Sequence, residues 1–145
     1  MDTLLYNVLQ AVGYGHPLHP VLTHLVIGPV IAALLFSLVG WLFKRPLFLR
    51  TARHMVGLAF IFWFFAVGIG ILDWMHFFHA ETSIPQIQIK AITAGILFLI
   101  LLTTLLLNRK WPEDSKRPIA LYFLAVVCVV ILGFEGAELI PWATA

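Results

Sequence analysis

The stretch TARHMVGLAFIFWFFAVGIGILDWMHFF, residues 51–78, decides what kind of protein this is. Between His54 and Asp73 it holds no ionisable side chain, and a helix of about 20 apolar residues is what the ~30 Å hydrocarbon layer of a bilayer requires. Its apolar residues do not alternate with polar ones, which excludes the pattern of a membrane barrel strand. Lipid offers the backbone no hydrogen-bond partners, so the segment must satisfy itself as a helix.

Three more stretches read the same way: residues 20–43, 84–107 and 118–140. Pro20, Pro85 and Pro118 sit at their starts, where proline's missing N–H is not needed. The whole chain agrees, since 61% of its 145 residues are hydrophobic, 11% are charged and the mean hydropathy is +0.99. Soluble domains average about half apolar and about a quarter charged. The expected fold is all-α, an integral membrane four-helix bundle forming a single membrane domain over residues 1–145. Ahead of the first span, Leu4, Leu5, Val8, Leu9 and Val12 recur at helical spacing, which predicts a short interfacial helix. A cleavable signal is not expected, because no basic n-region and no small-residue cleavage site are present. The lone cysteine, Cys128, lies mid-span and reads as a small packing residue.

Charge sets the expected orientation. Lys44, Arg45, Arg50 and Arg53 follow the first span, and Arg109, Lys110, Lys116 and Arg117 follow the third. Positive residues in short loops mark the cytoplasmic side. Both termini are therefore expected on the non-cytoplasmic side, the periplasm for a bacterial inner membrane. Trp41 and Trp111 lie at the basic edge, Trp74 and Trp142 at the other, as interfacial anchors do.

This topology gathers distant residues into one layer near the non-cytoplasmic face: His16, His19, His24, Asp73, His76, His79, Glu81, Lys90, Glu135 and Glu138. Ionisable groups inside spans are costly and mark sites by default. Asp73, His76 and His79 are three residues apart, as are Glu135 and Glu138, so each set lines one helical stripe. Inward carboxylates and imidazoles at that spacing hold metals in helical bundles, with Asp73, His76, Glu135 and Glu138 as the candidate ligands. Imidazole suits iron, copper and zinc. Haem b, the first-choice cofactor, would use the same histidines: His24 and His76 as preferred axial ligands, His79 and His19 next, with Gly28, Gly68 and Gly70 as clearances. Asp73 or Glu138 would orient an imidazole through its second nitrogen, and Lys90 would serve as counter-ion. No Cys-x-x-Cys-His is present, so covalent haem attachment is excluded. Each polar residue also has a bland reading: solvated rim for His16, His19 and Glu81, snorkelling for Lys90, and mutual hydrogen bonding that fixes helix packing for the layer as a whole. His54, beside Arg53, lies roughly 33 Å along the helix from His76 and reads as an interface residue.

His19-Pro20-Val21-Leu22-Thr23-His24-Leu25-Val26-Ile27-Gly28 resembles the His-Pro-x-x-Val-His-Phe-Pro-Ile opening of a bacterial membrane family, domain of unknown function 2231. Gly70-Ile71-Leu72-Asp73 and Gly133-Phe134-Glu135-Gly136-Ala137-Glu138-Leu139-Ile140 resemble that family's helix-two end and its Gly-Trp-x-Gly-Gly-Glu-Leu-Val close. Thr23, Leu25, Val26 and Glu135 depart from the pattern. The resemblance implies a four-helix membrane domain with His19, His24, Asp73 and Glu138 as recurrent polar positions. The family's association with Rieske and cytochrome modules implies a membrane redox role.

The expected function is thus electron transfer through a haem or metal site, within an assembly of membrane or periplasmic redox subunits in the lipid bilayer. A structural or assembly subunit without cofactor is the alternative, and proton or metal-ion transport the second. Beyond the layer, only Ser37, Thr103, Thr104 and Cys128 offer polar stations, so a transport path looks interrupted. No nucleophile with an adjacent base and no nucleotide motif point to an enzyme, and nothing points to nucleic acid.

Overall fold

A computed structural model describes Asn7, Ala11 and residues 18–77, 82–112 and 115–143, with side chains as far as Ala137. It contains four long helices, α1 (His19–Leu42), α2 (Pro46–Phe77), α3 (Pro85–Asn108) and α4 (Pro118–Ala143), each long and apolar enough to cross a membrane. Most of the expected interfacial helix lies outside the described residues. Three spans start within a residue of expectation, each with proline in the first turn. The second span needs correction. It starts at Pro46, five residues before the expected Thr51, so Arg50 belongs to helix α2 along with Arg53.

The early start follows from how α1 ends. Arg45 N–H bonds to the Gly40 carbonyl at 2.9 Å and Lys44 N–H to the Trp41 carbonyl at 3.4 Å, the paired bonds of a Schellman cap. Lys44 takes the left-handed position with φ 52°, where glycine is the usual residue. Pro46 then opens α2 at once, its fixed φ already suited to a helix. Gly40 makes the tight turn possible, since a Cβ there would stand 2.9 Å from the Leu49 side chain.

Consecutive helices pack side by side and α4 closes against α1, giving an up-and-down ring of four. The α1–α2 pair is the most extensive contact. Ala33, Ala52 and Ala59 are almost wholly buried, the small residues that let helix backbones approach inside lipid. Val30, Val56, Leu97, Leu101 and Val129 fill the centre, and Cys128 is buried among them as a packing residue. Between α2 and α3, Trp63 donates its indole N–H to the Ala94 carbonyl at 3.1 Å and stacks toward Phe98 at 4.8 Å. Outward faces carry exposed Phe64, Phe65, Leu99 and Phe134. That inversion suits a bundle whose solvent is hydrocarbon.

Candidate functional site

Chemistry concentrates where α1 begins and α2 ends. Leu18, the residue ahead of α1, caps nothing with its own side chain, and the first N–H groups of a helix have no partner within it. Asp73 supplies that partner from another helix. Its carboxylate, 4% exposed, accepts the His19 backbone N–H at 2.7 Å and a bond from the Leu18 N–H. An anion at a helix N-terminus is also favoured by the helix dipole.

The cap fixes the His19 side chain. Its Nδ1 lies 2.8 Å from the Ala66 carbonyl; a carbonyl can only accept, so Nδ1 carries the proton and Nε2 holds a lone pair. That Nε2 is buried and, among the described residues, has no hydrogen-bond partner. The ring rests on Gly70, where an added Cβ would stand 2.7 Å from Nδ1. Ala66, Gly70 and Asp73 follow one another at i, i+4 and i+7, so a single stripe of α2 seats the whole residue.

Lys90 of α3 lies within electrostatic reach of residues on the other three helices. Its ammonium acts electrostatically on His19, and on Asp73 and Glu135, and lies 3.6 Å from where a Cβ on Gly136 would stand. Glu135 of α4 has one carboxylate oxygen, Oε2, buried without a partner among the described residues. One residue from each helix thus makes the layer: His19, Asp73, Lys90 and Glu135. Beneath it is a cavity of about 60 Å³ bordered by His19, Thr23, Trp63 and Lys90, and otherwise by apolar side chains. Its volume exceeds the about 10–15 Å³ that one water needs, but its exposed surface is almost wholly apolar, so size alone does not make it an ion or water site.

Other candidates fall elsewhere. His24 is exposed and bonds through Nδ1 to the Pro20 carbonyl of its own helix at 2.6 Å. His76 is half-buried near Asp73, with its ring against Phe77 at 4.8 Å. His54 is exposed at the basic end. His16, His79, Glu81 and the side chain of Glu138 lie outside the described residues. Among the described residues, no three His, Cys, Asp or Glu side chains converge to hold a metal by themselves.

Sequence reading overlooked the Ala66 carbonyl and the Gly70 seat, although Gly70 and Asp73 share one helix stripe. It also missed the clamp that Arg53 makes. Arg53 donates to the Asn108 carbonyl at 3.0 Å, the Trp111 carbonyl at 3.3 Å and the Pro112 carbonyl, closing the C-terminal end of α3.

Four apolar spans around a partly buried polar layer define a polytopic helical membrane protein. Residues 15–140 match the model of the family described as "Predicted membrane protein (DUF2231)", and the chain belongs to that family. No curated protein and no solved structure matches it.

Proposed function

We propose that this protein binds a transition-metal ion at the His19–Asp73–Lys90–Glu135 layer, near the non-cytoplasmic face of a bacterial inner membrane, and passes electrons within a larger redox assembly. One observation carries the reading: two buried acceptors in the layer, His19 Nε2 and Glu135 Oε2, have no partner among the described residues. Leaving such groups unpaired costs ~1–3 kcal/mol each. Formal charges agree. With His19 neutral, one lysine and two carboxylates leave a single negative charge, and a bound cation offsets it. The His19 pattern, one ring nitrogen donating to a backbone carbonyl and the other free, is the usual arrangement of a metal-binding imidazole. An imidazole with a carboxylate suits iron or copper, the ions able to carry an electron. Water or a partner subunit must supply the remaining positions. Haem b draws less support, since the cavity beside His19 is well below the ~300–1,000 Å³ of ligand clefts and His24 faces away from the core.

Elemental analysis of the purified protein, with absorption spectra before and after reduction, tests this. The expected result is bound iron or copper that His19→Ala loses and His24→Ala keeps. Metal-free wild-type protein sinks the proposal, and a Soret band replaces it with the haem reading. A second reading, a structural subunit without cofactor, is favoured by the use of Asp73 as a helix cap. It predicts no bound metal and a lower unfolding temperature in His19→Ala.

A further inference from the structure

At the end of the bundle opposite this layer, a groove of about 620 Å³ runs between α1 and α4, lined by Leu34, Leu38, Ile119, Ala120, Phe123 and Leu124. All six are apolar, and Leu38, Phe123 and Leu124 are exposed, so the groove faces the membrane interior. Its walls run about one and a half helical turns, roughly 7–8 Å.

What fills the groove is indicated by its rim. Lys116 and Arg117 stand just before Ile119 and are exposed. The Lys116 ammonium sits 5.1 Å from the centre of the Trp41 ring, which brings the start of α4 onto the end of α1. Lys44 and Arg45, also exposed, follow that same end of α1. The described charged residues of this rim are these four cations; Glu113 and Asp114, which precede Lys116 in the sequence, lie outside the described residues. Lys44 keeps its charge in a left-handed position where glycine is less strained. An apolar slot between helices under a basic rim is the pattern that holds anionic lipid head groups.

We propose that the α1–α4 groove is a binding site for an anionic phospholipid, with an acyl chain along Leu38, Ala120 and Phe123 and the phosphate beside Lys116 and Arg117. This site is independent of the polar layer, about one membrane thickness away.

The full chain, purified in mild detergent with equal phosphatidylglycerol and phosphatidylcholine, is examined by native mass spectrometry for retained lipid. Wild-type protein is expected to keep phosphatidylglycerol roughly tenfold over phosphatidylcholine, and a Lys116→Glu/Arg117→Glu double variant to lose that preference. Ala120→Trp, which fills the groove and leaves the rim intact, should lose retained lipid. Excess glycerol phosphate should not displace it, because a free head group lacks the chain. Equal retention of the two lipids overturns the proposal, as does unchanged preference in the double variant. Displacement by glycerol phosphate makes the rim a simple anion site. If Ala120→Trp turns a dimer into a monomer without changing lipid retention, the groove belongs to a second copy of the chain.

Discussion

Helix α2 places a charge on a neighbouring helix terminus at each of its ends. Near its start, Arg53 binds carbonyls at the C-terminal end of α3; near its finish, Asp73 binds N–H groups at the start of α1. Cation to C-terminus and anion to N-terminus is the favourable pairing at both. They differ in what is left over. The Arg53 guanidinium binds three carbonyls, and beside it the Asn108 side-chain oxygen Oδ1 is buried without a partner among the described residues. At the Asp73 end, the seated imidazole and the Glu135 carboxylate keep buried acceptors without partners. Both ends leave a buried acceptor unpaired, and they differ in kind: an amide oxygen at the Arg53 end, an imidazole nitrogen and a carboxylate oxygen, the types that ligate metals, at the Asp73 end.

The sharpest way to break this comparison is Arg53→Ala. It strands several carbonyls at once and should cost about 3 kcal/mol, read as the largest drop in unfolding temperature in detergent, with metal content per folded protein unchanged. Arg53→Lys should recover only part, because an ammonium lacks the guanidinium fork. Asp73→Ala is expected to cost about 2 kcal/mol and, on the proposed metal-binding reading, to lower metal content, since the cap holds His19 in place. Asp73→Asn, which keeps an acceptor oxygen, should restore much of the stability. A paired glycine test is finer. Gly70→Ala forces the His19 ring aside and should cost about 1–2 kcal/mol with loss of bound metal. Gly68→Ala meets nothing within 4 Å and should be neutral or stabilising by up to ~1 kcal/mol. The smallest effect is expected from Lys44→Gly, which relieves the left-handed strain and should raise stability by up to about 1 kcal/mol in uncharged detergent.

The spans were legible because continuous apolarity leaves a chain in lipid a single option, and because proline marks three of the starts. Asp73, Lys90 and Glu135 were legible for the same reason: a charge inside such a run needs a partner. Facing was harder. His19 and His24 are five residues apart, about 140° around a helix, so seating one inward turns the other out. The wheel alone cannot say which, because the choice rests on Asp73 capping α1, a contact between residues 54 positions apart. The start of α2 was missed for a related reason. Four basic residues in a row of ten look like a loop, yet Lys44 absorbs the reversal in a single residue and frees Arg53 to reach across the bundle.

Arg53 and Asp73 stand twenty residues apart on α2, a separation of roughly 30 Å along a straight helix. That matches the thickness of an average hydrocarbon slab. The two charges therefore bracket the apolar length of α2, each holding a neighbouring helix terminus at its own level. A thinner or thicker bilayer would have to deform around them or make α2 lean, so the depth at which this protein floats is set by one helix.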